Sequence, residues 1–167
     1  MTRIWRFGDD VNTDAIIPGK YLDNYDPGHL AAHAMEGANR EFAGSVSKGD
    51  IIVAGRNFGC GSSREQAVIA LARAGVKAVV AKSFARIFYR NAVNLGLSVI
   101  TSEDAADVFV DGDEAALDLK NHILVSADGA RRASLAPVPE HVRKILDAGG
   151  LVPYVKAKLA MTTRPSK

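Results

Sequence analysis

Two serines and an arginine leave a glycine loop in Gly59-Cys60-Gly61-Ser62-Ser63-Arg64, and the residue types there suit a small acid. Gly55, Gly59 and Gly61 permit close backbone approach, and a helix expected to start at Ser62 or Ser63 presents unpaired N–H groups that favour an anion. Arg64 adds a planar, two-pronged donor set for a carboxylate. The same residues also fit a scaffold. Ser62-x-x-Glu65 and Ser63-x-x-Gln66 each match a capping box, worth on the order of 1 kcal/mol. Only one serine can cap, so the other hydroxyl has no such role. The loop fails both nucleotide tests. Arg64 stands where a dinucleotide fingerprint needs its third glycine, and no GxxxxGK[ST] lysine is present.

Asn12-Thr13-Asp14 is a second cluster of hydrogen-bonding side chains, readable as an Asx-type turn or as part of a site. Asp14 needs a partner to act as a catalytic acid, and no histidine lies near it in sequence. Lys20 and Tyr21 follow Gly19 and either reach a ligand or cover an edge. In Lys82-Ser83-Phe84-Ala85-Arg86, Ser83 is a natural cap, and Arg86 falls on a first helical turn, where the dipole disfavours a cation without a partner. Cys60 lacks a histidine or aspartate in local register and reads as a spacer more readily than as a nucleophile. His29 and His33 read as a surface pair, because HLAAH lacks the glutamate of HExxH.

These candidates need elements to hold them. RIWRF (3–7) alternates as a strand, and a polar, turn-rich loop closes at Pro18-Gly19. Asp26 as N-cap and Pro27 at the first helical position open a helix to about Glu36, with Leu30, Ala31, Ala34 and Met35 in one stripe. DIIVAG is a buried strand. Beyond the glycine loop come a helix to about Ala74 stopped by Gly75, the strand VKAVVAK, a helix ending at Gly96, and the strand LSVIT. That alternation is α/β. Residues 102–118 carry seven acids and no base and suggest a short helix and a solvated edge. Strand-like segments follow, separated by turns such as Asp128-Gly129. PEHVRKILDAG is a last helix with Val142, Ile145 and Leu146 inward, and the tail from Tyr154 reads as a solvated end. The expected unit is one domain over 1–167, with a core of about 3–155 and a basic tail of about 156–167.

Composition excludes several classes. The chain has 167 residues and a net charge of +2, which gives no electrostatic case for nucleic acid. No apolar run approaches the roughly 20 residues of a membrane span, and the start MTRIWRFGDD has no signal-peptide core, so the expectation is a soluble, cytoplasmic protein. Cys60 is the single cysteine, so no intrachain disulfide and no four-thiolate metal site can form.

Three ordered blocks, FGDDVNTDAIIPGKYL, GRNFGCGSSREQA and AKSFARIFYRNAVNLGL, closely resemble the small subunits of 3-isopropylmalate dehydratase, in the aconitase superfamily. The resemblance runs from Arg3 to PEHVRKILDAGGLVPYVK. It implies a single swivelling β/β/α domain, like the fourth domain of aconitase, docked on a large subunit. That partner would hold a [4Fe-4S] cluster with its own cysteines, and this chain would bind no cofactor. The implied activity is a hydro-lyase of leucine biosynthesis, reversibly dehydrating a hydroxy dicarboxylate. The resemblance makes Ser62 the base, Ser63 its support and Arg64 the carboxylate clamp; Ser63, Arg64 and Lys20 together are the candidate substrate-binding residues. It pairs Asp14 with a large-subunit histidine and makes Tyr21, Leu22, Asp23 and Asn24 the specificity loop.

Two residues depart from the family pattern. Gln66 stands where histidine is common. Asp23 replaces the arginine of the Tyr-Leu-Arg-Thr form that accompanies tricarboxylates such as homoaconitate, and it would repel a third carboxylate. Substrates such as 2,3-dimethylmalate or citramalate therefore stay open beside isopropylmalate, with homoaconitate disfavoured. Outside this class stand a non-catalytic acid-binding module and a self-contained hydrolase using Cys60 or Ser62. Self-association of the isolated chain is also open.

Overall fold

A computed structural model describes residues 2–162. Its sheet contains, in chain order, β1 (Thr2–Arg6), β2 (Ile51–Ala54), β3 (Ala78–Ala81), β4 (Ser98–Thr101), β5 (Glu114–Asp118), β6 (Ile123–Ser126) and β7 (Arg132–Ser134). Across the sheet the order is β4-β3-β2-β1-β5-β6-β7. The β1–β4 half is parallel, and β5, β6 and β7 continue it antiparallel from β1. All four residues of β2 and of β3 are buried, as their unbroken apolar runs require of strands covered on both faces. Ile52 and Val79 face one apolar cluster, while Ile51, Val53 and Val80 face the other. On β6 and β7 buried positions alternate with more exposed ones, which marks one-sided strands.

The helices are α1 (Thr13–Ile16), α2 (Pro27–Ala32), α3 (Phe42–Ser45), α4 (Glu65–Ala74), α5 (Arg86–Leu95), α6 (Ala105–Val108), α7 (Glu140–Asp147) and α8 (Leu151–Thr162). Helix α4 buries Ala67, Val68, Ala70 and Leu71, and α5 buries Phe88, Ala92 and Val93. The expected β2-α4-β3-α5-β4 alternation is present, as are a short helix in the acidic stretch and the strands that follow it, although α7 and α8 make the second half richer in helix than in strand. Among the described residues, no helix is long and apolar enough to cross a membrane.

Four local expectations are corrected. Helix α4 starts at Glu65 with Arg64 in the N-cap position and no side-chain cap, so neither Ser62 nor Ser63 caps it. Pairing of Cys60 with Asn12 carries the loop past residues 12–14 before helical geometry can begin. Helix α2 has the Asp26 cap but ends at Ala32 rather than near Glu36. The Met35 and Gly37 amides donate instead to Ile16 and Ala15 carbonyls, at 2.6 and 3.1 Å, and these long-range bonds replace helical ones. Ser83 does not cap α5, whose N-cap is Ala85; the Ser83 hydroxyl accepts from the Asn57 amide at 2.8 Å. Finally, Gly149-Gly150 ends α7, but the chain re-enters a helix, α8, so the basic stretch is helical as far as Thr162. Residues 163–167 of the expected tail lie outside the described residues.

Candidate functional site

The connections leaving the carboxyl ends of β1, β2 and β3 are laced together. The Gly59 amide donates to the Val11 carbonyl and the Thr13 amide to the Cys60 carbonyl, both at 2.8 Å. Phe58 exchanges backbone bonds with Ser83 and Ala85 on the third connection. Open α/β sheets bind ligands at this edge, because loops there project from a rigid base. The base is aromatic: buried Phe58 meets the Phe84 and Phe88 rings edge-on. The glycine spacing follows from this packing. A Cβ on Gly59 would land on the Phe88 ring, and one on Gly61 would sit 3.1 Å from Thr13 Oγ1 with φ at +100°.

Ser62 is exposed, and its Oγ lies 3.3 Å from Thr13 Oγ1. Thr13 itself is 3% exposed, so its hydroxyl is a fixed partner at the foot of the loop. Arg64 Nη1 donates to Asp14 Oδ1 at 2.9 Å and to the Ile17 carbonyl at 3.2 Å. The Gly19 amide donates to the same Asp14 oxygen at 3.0 Å. Asp14 therefore has a partner within this chain, contrary to the expectation that it lacks one. The Arg64 guanidinium, and then the Gly19 N–H, hold its carboxyl below the usual aspartate range. The Asp14 side chain is 66% exposed, so this pair orients Arg64 more than it stabilises the fold.

Ser62, Arg64 and Asp14 are thus brought together from two connections. Ser63 is exposed beside them and makes no side-chain hydrogen bond among the described residues. Lys20 and Tyr21 lie on a 3-10 turn, Gly19–Tyr21, and both reach Glu36: Lys20 Nζ at 3.1 Å, Tyr21 Oη at 2.7 and 2.9 Å. Leu22 packs on the core, Asp23 is exposed, and Asn24 Oδ1 accepts from the Asp26 amide at 2.9 Å. Gln66 is buried on the first turn of α4. Arg86, first in α5, is exposed, with no ion pair among the described residues. His29 and His33 are not a surface pair: both are half-buried against Tyr21.

Sequence reasoning missed Glu36 and named Thr13 only within the Asn12-Thr13-Asp14 cluster. Thr13 had a signal, its place between Asn12 and Asp14, but its importance lies in burial. Glu36 had none, because its partners converge through the early end of α2. No group of three His, Cys, Asp or Glu able to hold a metal occurs among the described residues, and the chain has one cysteine. These residues do not fit an iron–sulfur cluster, so a cluster would have to be held by another chain.

The sheet order and the loop cluster at its carboxyl edge define an α/β subunit of the aconitase C-terminal-domain class, whose family model matches residues 32–105. A 3-isopropylmalate dehydratase small subunit from Moorella thermoacetica is 53% identical over 153 residues, covering 92% of each chain. A methanogen homoaconitase small subunit from Methanothermobacter thermautotrophicus is 55% identical over 150 residues, 90% of this chain and 86% of that one. A crystal structure of 3-isopropylmalate dehydratase from Methanocaldococcus jannaschii superposes with a TM-score of 0.93 at 50% identity, covering 97% of this chain and 96% of that one. The chain belongs to the family of 3-isopropylmalate dehydratase small subunits.

Proposed function

We propose that this chain is the small subunit of a cytoplasmic hydro-lyase of leucine biosynthesis that interconverts 2- and 3-isopropylmalate. Its partner is a large subunit carrying a [4Fe-4S] cluster. The observation that supports this reading is the convergence of Ser62, Arg64 and Asp14 at the carboxyl edge of the parallel strands. Bound in the large subunit, the cluster supplies a Lewis acid for the substrate hydroxyl and one carboxylate.

This chain supplies the proton chemistry and the grip. Ser62 Oγ takes the proton from the carbon beside a carboxylate, hydroxide departs, and a cis-unsaturated acid forms; rehydration returns the proton from the same oxygen. A serine alkoxide needs donors, and Thr13 Oγ1 is positioned to be one. Arg64 commits Nη1 to Asp14 and Ile17, which leaves the Nε and Nη2 edge for a substrate carboxylate. Asp14 receives both of its bonds on Oδ1, which leaves Oδ2 for a large-subunit histidine that assists the leaving hydroxyl. Docking covers this exposed edge and excludes water, which strengthens each of these interactions.

A homoaconitate-type substrate is the second reading, favoured by the homoaconitase name of one relative. Asp23 opposes it, since an exposed carboxylate in that loop repels a third substrate carboxylate. The test is to reconstitute the chain with a cluster-loaded large subunit and assay 3-isopropylmalate, 2,3-dimethylmalate, citramalate and homoaconitate. The highest kcat/KM is expected for isopropylmalate. A tricarboxylate preference would overturn the substrate, and no turnover of any acid would overturn the class.

A further inference from the structure

The Glu36 carboxylate gathers three side chains from two segments. Tyr21 Oη donates to it at 2.7 and 2.9 Å, His33 Nδ1 lies 2.8 Å from Oε2, and Lys20 Nζ lies 3.1 Å from Oε1. The Tyr21 ring is stacked on His33 with centroids 3.7 Å apart and planes within 10°, and the Lys20 ammonium sits 4.6 Å above the Tyr21 ring. The turn held in this way has little of its own: the Tyr21 amide donates to Pro18 at 3.0 Å and the Leu22 amide to Gly19 at 3.2 Å. A three-residue 3-10 turn is not stable on such bonds alone. Its inner end is tied by the Gly19 amide to Asp14, and its outer end by Tyr21 and Lys20 to Glu36. The turn is therefore suspended between two carboxylates, one inside the acid-binding cluster and one outside it.

We propose that Glu36 is a positioning and specificity residue: it fixes the 19–24 loop against the turn that follows α2 and offsets the Lys20 charge, so that the loop meets the substrate tail in one arrangement with little excess positive potential. The inference rests on the dehydratase reading for its substrate and on the geometry for its mechanics. Glu36→Gln keeps the side-chain size and an acceptor for Tyr21, but it removes the charge opposite Lys20. The loop then loosens, and the uncompensated ammonium favours acids with an extra carboxylate.

Two measurements on the intact chain test this, with thermal denaturation to confirm that the variant folds. In isolated wild-type and Glu36→Gln protein, hydrogen exchange of the Tyr21 and Leu22 amides should accelerate about tenfold, the scale of one charge-assisted hydrogen bond, while α4 amides keep their rates. In the reconstituted pair, KM for isopropylmalate should rise about tenfold with kcat within about twofold, and the kcat/KM ratio should move toward homoaconitate. Wild-type exchange at Tyr21 and Leu22, or an unchanged KM and ratio, would overturn the proposal. If the wild-type pair turns over none of these acids, the dehydratase reading falls instead, and the exchange result alone decides whether Glu36 anchors the loop.

Discussion

A serine oxygen acts as a base only through what surrounds it, and for Ser62 the buried Thr13 hydroxyl 3.3 Å away is one such group. Thr13→Val keeps the volume and deletes that donor. Steady-state kinetics of the reconstituted enzyme should show kcat reduced about a hundredfold with KM nearly unchanged, the size expected for one donor to a developing anion. Arg64→Lys keeps the charge but cannot serve Asp14 and a substrate carboxylate with one planar fork, so KM should rise and kcat fall together in the same assay. Ser62 and Arg64 stood out as candidates by type and spacing, and Asp14 as a carboxylate in search of a partner; the structure brings the three together. What the sequence left open was the serine's local job. Two capping boxes were written there, and neither is used, because the pairing of Cys60 with Asn12 turns the loop aside before the helix begins. Capping boxes describe local bonds, and here a contact between residues 48 positions apart prevailed.

At the scale of elements, the proposed reading assigns the choice of acid to the 19–24 loop. Asp23→Arg replaces a repelling charge with a clamp, so the kcat/KM ratio of homoaconitate to isopropylmalate should increase; an unchanged ratio would mean that Asp23 faces only solvent. The anchor of the loop has its own pH signature. Tyr21 first, then His33 and Lys20, hold the Glu36 carboxyl near a pKa of about 2, against an ordinary 4.5. A depressed pKa means that the unfolded chain binds the proton more readily. The stabilisation is therefore complete above about 4.5 and is withdrawn as pH falls toward 2. Denaturant unfolding should show the wild type losing more stability than Glu36→Gln between pH about 7 and about 3. Strands β2 and β3 and helices α4 and α5 were legible because their apolar runs and stripes record local periodicity. The early end of α2 was not, since amide bonds from Met35 and Gly37 back to Ile16 and Ala15 override a helical pattern.

For the whole molecule, the placement of β1 explains the site. It pairs with β2 in parallel on one side and with β5 antiparallel on the other, so residues 7–14 leave the middle of the sheet beside the glycine loop. No periodicity in the sequence specifies that order, whereas the one-domain α/β character was plain from alternating runs. At the assembled edge Ser62, Ser63 and Asp14 are exposed, and the single cysteine cannot hold a cluster. On the proposed reading, this chain contributes proton transfer within a two-subunit enzyme. The direct test follows exchange of the substrate's C–H proton with solvent deuterium in pairs built from wild-type and Ser62→Ala chains, with the large-subunit cluster shown intact. The wild-type pair should exchange at or above its turnover rate. The Ser62→Ala pair should lose exchange and turnover together by about a thousandfold or more, while keeping its fold and its association with the partner. Near-wild-type exchange in Ser62→Ala would mean that another group takes the proton, and would contradict the account.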